Sequence, residues 1–115
     1  MNLRVVNLVV QSSISIQIEF TEEVEYSISL KDQFLITPQN TNLPTPKVLS
    51  VLVSDNFVEL AIQPLTPYEK YKLTFDVGLV SINGNAILNS DENSYFFLGY
   101  EDLSEPIRTN LLRYL

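Results

Sequence analysis

A side-chain period of two, recurring along the chain with turn residues between the runs, restricts the fold more than any other feature. In "SISIQIEF" (13–20), Ile14, Ile16, Ile18 and Phe20 fall on one side and Ser15, Gln17 and Glu19 on the other. A slip of one residue would bury a carboxylate, so the register is firm. "KVLSVLV" and "FVELAI" flank Ser54–Asn56, and a three-residue connection between alternating runs predicts a β-hairpin with Val58, Leu60 and Ile62 turned inward. "QFLIT" predicts a strand ending at Pro38, followed by a surface loop, 38–46, that contains Pro38, Pro44 and Pro46. Asn83-Gly84 predicts a tight turn because glycine tolerates positive φ. A last strand is expected at Ser94–Leu98, with Tyr95 and Phe97 on one face and Phe96 and Leu98 on the other.

Two stretches read less simply. Leu3 to Val10 is apolar on both faces apart from Arg4 and Asn7, the pattern of a strand covered on two sides or shared between sheets. "TEEVEYSISL" (21–30) alternates Val24, Tyr26, Ile28 and Leu30 but carries three glutamates, so a short edge strand and an ordered loop are both open. The end of the chain changes period. Ser104 suits an N-cap, Glu105 and Pro106 a first turn, and Ile107, Leu111 and Tyr114 or Leu115 recur at helical spacing. That predicts a short amphipathic helix of about ten residues, too short to persist in water unpacked. It would dock on the sandwich, dock on a partner, or begin a further part of a longer protein. The expected organisation is a sandwich over residues 1–100 and a helical segment or linker over 101–115.

Composition removes most chemistry. The chain has neither histidine nor cysteine, and so lacks the usual base near neutral pH, the usual zinc ligands and any Ser-His or Cys-His nucleophile. A net charge of -7, from 14 acidic and 7 basic residues, opposes binding to a phosphate backbone. No apolar run reaches the roughly 18 residues a membrane helix needs. The apolar stretch at the start is broken by Asn7 and lacks the cleavage site of a signal peptide, so it is read as a first strand. At this length a core can bury roughly two-thirds of the unfolded chain's surface without disulfide staples.

"LTPYEKYKLTF" (65–75) places Leu65, Pro67 and Tyr71 in the pattern L-x-P-x-x-x-Y, which resembles the tyrosine corner of fibronectin-type Greek-key sandwiches. Pro67 would fix φ where the chain crosses between sheets. Tyr71, sharing an inward face with Leu73, Phe75 and Val77, would return its hydroxyl to otherwise unpaired backbone. More broadly, "ISIQIEFTEEV", "FLIT", "VLSVLVSDNFVELAIQPLTPYEKYKLTF" and "INGNAIL" are similar to the bacterial Ig-like domains of S-layer proteins, adhesins and some phage virion proteins. Phe20 to Val24 matches the family's strand end and acidic turn, and Gly84-Asn85 before Ala86 and Ile87 its Gly-Asn dipeptide. The match spans about residues 3 to 99. Where the family often carries an acidic residue before Gly-Asn, this chain has Ser81 and Asn83. The resemblance implies scaffold, spacer or adhesion roles and an all-β, Ig-like or fibronectin-like antiparallel Greek-key sandwich of about seven strands.

No catalytic residue, cofactor or metal is expected. Glu22, Glu23 and Glu25, then Asp91 and Glu92, then Glu101, Asp102 and Glu105, read as solvated charge, since calcium would need about six converging oxygens. A carboxylate pair for glycoside hydrolysis would need a cleft. Tyr26, Tyr68 and Tyr100 read as core or rim rather than as an exposed binding patch. The expected partner-binding residues are Ile107, Leu111, Leu112, Tyr114 and Leu115, because their apolar stripe requires cover. The expected function is a non-enzymatic structural and protein-protein interaction module of a larger assembly, set in a phage virion or tail. The alternative is an adhesion or carbohydrate-binding domain of a bacterial surface or secreted protein, for which a glycan would be the partner.

Overall fold

The structure, a computed structural model, describes residues 3–76, 78–87 and 94–99. Seven strands form among them: β1 (Val5–Ser12), β2 (Ser15–Phe20), β3 (Phe34–Pro38), β4 (Val48–Ser54), β5 (Phe57–Ile62), β6 (Lys70–Phe75) and β7 (Tyr95–Leu98). They pair as two antiparallel sheets, ordered β1-β2-β5-β4 and β3-β6-β7. The chain changes sheet between β2 and β3, between β3 and β4, and between β5 and β6. That is the strand order of a constant-type immunoglobulin sandwich.

Alternation explains why the sheets face each other. Ile16, Ile18 and Phe20 of β2 and Val58, Leu60 and Ile62 of β5 are buried against Ile36 of β3, Tyr71, Leu73 and Phe75 of β6, and Phe97 of β7. Each fully buried side chain of this size stabilises the fold by roughly 1.5–3 kcal/mol. Phe75 is the hub of the aromatic part of the core. It meets Phe20, Phe34 and Tyr95 edge-on, with ring centroids 6.1, 5.8 and 6.4 Å away.

Several elements differ from their sequence reading. β1 is an outer strand of its sheet, so Val6 and Val9 are exposed rather than covered. Leu3, ahead of the strand, is buried and bridges Ile87 in parallel. The β1–β2 pairing breaks register between Val5 and Asn7 and between Val10 and Ser12, and β4–β5 does so between Val48 and Ser50. Ile14 lies in the β1–β2 turn and is exposed, because the strand that would bury it starts at Ser15. The hairpin after β4 turns on Asp55-Asn56 alone, Asp55 taking φ 55° while Ser54 still pairs with Phe57.

Residues 21–30 form an ordered connection. Val24 bridges Ser81, Leu30 is buried and opens a 3₁₀ turn (Leu30–Gln33), and Ile28 stands 90% exposed. That turn is the only helical piece among the described residues. The predicted C-terminal helix, Val77, Asp91, Glu92, Tyr100, Glu101, Asp102 and Glu105 lie outside the described residues.

Candidate functional site

Three constellations place polar or exposed groups where they act. The first lies between β5 and β6. Leu65 is buried, and Tyr71, 1% exposed, accepts a hydrogen bond at its hydroxyl from the Thr66 N–H at 2.8 Å. This is the tyrosine corner. Thr66-Pro67-Tyr68-Glu69 forms the turn itself, Glu69 N–H donating to the Thr66 carbonyl at 3.3 Å with Tyr68 at φ 67°. Proline second and positive φ third is the type II arrangement, where glycine or asparagine usually takes the third place. Tyr68 is therefore constrained in backbone although its side chain is 68% exposed. Gly99 closes the corner from β7. Its N–H donates to the Glu69 carbonyl at 2.8 Å, and a Cβ there would overlap the Thr66 carbonyl oxygen and lie 2.9 Å from its carbon. Tyr71 stacks on Phe97 at 5.8 Å.

A second constellation gives Glu22 a partner set that its sequence reading as solvated charge missed. The turn at 81–85 folds around Gly84, φ 85°, with the Gly84 N–H donating to the Ser81 carbonyl at 2.9 Å. The buried Ser81 hydroxyl accepts from the N–H groups of Asn83 and Asn85, at 3.2 and 3.1 Å, and donates to Glu22 Oε1 at 3.0 Å. Asn83 Nδ2 adds a bond to Oε1 at 3.1 Å, and Asn85 Nδ2 reaches both carboxylate oxygens at 2.9 Å. These donors, Asn83 and Asn85 foremost, hold the Glu22 carboxyl below the usual glutamate range. An acid at position 81 or 83 would set two carboxylates together, whereas a hydroxyl and an amide donate to the one present. Glu23 and Glu25 are exposed, and the loop is fastened by backbone bonds from Ile82 N–H to the Glu23 carbonyl and from Glu25 N–H to the Val80 carbonyl.

The third constellation is the outside of the sandwich. Tyr26, Ile28 and Leu49 are exposed around a shallow depression of about 230 Å³ that Lys31 also lines. Loop 38–46 and the end of β5 frame another of about 240 Å³, lined by Pro44, Thr45, Pro46, Gln63 and Pro64, none of them aromatic. On the outer face of the three-stranded sheet, the Nζ atoms of Lys70 and Lys72 lie 4.6 and 5.7 Å from the centroid of Phe96. On the opposite face, Glu19 and Glu59 occupy the two central strands. No cluster of His, Cys, Asp or Glu among the described residues could hold a metal ion. The expected partner-binding residues Ile107, Leu111, Leu112, Tyr114 and Leu115 lie outside the described residues.

The fold defines an Ig-like sandwich, and solved structures share it. No protein-family model matches the chain, and no curated protein is similar to it in sequence. It superposes on the crystal structure of the S-layer protein rSbsC with a TM-score of 0.75 and 20% identity, covering 90% of this chain and 14% of that one. For the N-terminal part of the bacterial S-layer protein SbsC the TM-score is 0.76 at 20% identity, covering 90% and 24%. For SbsC domains 1–6 it is 0.71 at 20% identity, covering 88% and 14%. The chain thus spans less than a quarter of the length of each. At this identity the likeness is one of fold.

Proposed function

We propose that this chain is a non-catalytic structural domain of a bacterial cell-surface protein, one sandwich module packed among others in an extended assembly. The superposition on part of an S-layer protein over 90% of the chain carries this reading. A sequence without histidine or cysteine supports it, as does polar side-chain chemistry spent on fastening turns rather than lining a cleft. These structures favour the cell surface over the virion setting expected from the sequence. Within this proposal Ile107, Leu111, Leu112, Tyr114 and Leu115 belong to the contact with a neighbouring module or subunit. Antibodies against the purified chain should label intact cells of the organism that carries the gene, and brief protease treatment of those cells should remove the label. Label seen only after permeabilisation, or only on purified phage particles, would overturn the surface assignment.

A further inference from the structure

The two outer faces of the sandwich carry opposite charge, and among the described residues neither is neutralised by an ion pair. On the three-stranded side, Lys70 and Lys72 project from the central strand β6, and the outward positions of β3, β6 and β7 hold no carboxylate. The register sets Lys72 opposite Phe96 and Lys70 opposite Leu98. Both ammonium groups share the one Phe96 ring, a weak and purely local attraction. On the four-stranded side, Glu19 pairs across from Phe57 on β5, and Glu59 pairs across from Gln17 on β2. The two carboxylates therefore stand diagonally on neighbouring strands, within range of mutual repulsion. The Ser15 hydroxyl donates to Glu59 at 3.3 Å, but neither glutamate and neither lysine is in an ion pair among the described residues. Exposed apolar side chains flank each charged pair, Phe96 and Leu98 on one face and Leu52 and Phe57 on the other.

We infer that the Lys70/Lys72 face of one copy docks on the Glu19/Glu59 face of the next. Two like charges on each face, similar spacing and an apolar surround on both sides are what such a contact requires. The lysine face is ill-suited to a polyanion, because two ammonium groups over a ring among leucines offer little phosphate neutralisation. The faces lie on opposite sides of the sandwich, so the contact is heterologous: every copy offers one face and accepts on the other, and stacking propagates. Facing sheets pack about 10 Å apart, which places successive sandwiches about 20 Å apart along the stack. This deepens the array reading by naming a contact between modules, yet it is tested on the isolated chain and does not depend on where the protein resides.

The test combines sedimentation velocity of the purified chain with zero-length carbodiimide cross-linking of a mixture of ¹⁵N-labelled and unlabelled protein. Association should rise with concentration in low salt and fall at about 0.5 M salt, where charges are screened within a few ångströms. Mixed-isotope cross-links should join Lys70 or Lys72 to Glu19 or Glu59. The variants K70E/K72E and E19K/E59K should each associate roughly tenfold or more weakly, and an equimolar mixture of the two should regain association, since each then offers the face the other lacks. A chain that stays monomeric at about 1 mM, cross-links confined to other carboxylates, or a mixture that fails to recover would overturn the inference. Should a variant unfold by circular dichroism, the cross-link map of the unaltered chain decides.

Discussion

Replacing Tyr71 with Phe removes one oxygen atom and leaves the ring, its burial and its stack on Phe97 in place. The loss is the acceptor for the Thr66 N–H at 2.8 Å. Leaving a buried donor unpaired costs about 1–3 kcal/mol. Thr66 is half-buried, so water reaches the orphaned N–H in part, while the vacated hydroxyl site lies beside a ring that is 1% exposed. The lower half of the range applies, about 1–2 kcal/mol. With a urea slope of about 1.5 kcal/mol per molar, the midpoint should fall by about 1 M at unchanged slope, and the thermal midpoint by roughly 5–15 °C. Far-ultraviolet circular dichroism through a urea titration measures this, with Tyr68→Phe as control, since that side chain is exposed and its hydroxyl has no hydrogen-bond partner among the described residues. A Tyr71→Phe shift below about 0.3 kcal/mol, or an equal shift in the control, would refute the claim that this bond closes the corner.

Gly99→Ala drives a methyl group into the Thr66 carbonyl, backbone against backbone. It should destabilise by about 2 kcal/mol or more by the same titration, and an unchanged midpoint would remove Gly99 from the corner. Glu22→Gln should lower the thermal midpoint at neutral pH, because the Ser81, Asn83 and Asn85 donors face a weaker acceptor. The folded-state pKa of Glu22 is depressed, so its contribution is complete above the unfolded-state value and disappears as pH falls through the folded-state value. The gap between the parent and Glu22→Gln melts should therefore be full at neutral pH and narrow as the pH falls below the ordinary glutamate value of 4.5. A gap that stays constant through that fall would show that the clasp does not act through charge.

What could be read in advance follows from whether a signal was local. The inward sets Ile16, Ile18, Phe20 and Val58, Leu60, Ile62 were legible because alternation over three or more residues fixes a face. Leu65, Pro67 and Tyr71 were legible because the bond spans five residues. The four-and-three division of strands rests on pairings distant in sequence that no single run encodes. Val6 and Val9 misled because an outer strand with broken register keeps an apolar sequence without the cover it suggests. Ile14 misled because alternation does not mark where a turn ends. Glu22 was read as one of three equivalent glutamates, whereas its donors lie 59 to 63 residues away. Gly99, next to the last strand, carried no turn signal, since it is demanded by a carbonyl at Thr66 rather than by its own φ.

The breaks in register on β1 and β4 bear on life at high local density. Among the described residues an open sandwich leaves four strands, β1, β4, β3 and β7, each with one unpaired side, and such sides recruit further strands into continuous fibrous sheets. Here β1 is interrupted twice and β4 once, β3 ends on Pro38, which has no N–H to give, and β7 is only 4 residues long. A straight run of free donors and acceptors is thus missing from each border, so crowded copies lack the template that amyloid-like growth needs. Crowding by itself should therefore not fuse these modules edge to edge into one continuous sheet, and each stays a folded body whatever its faces touch.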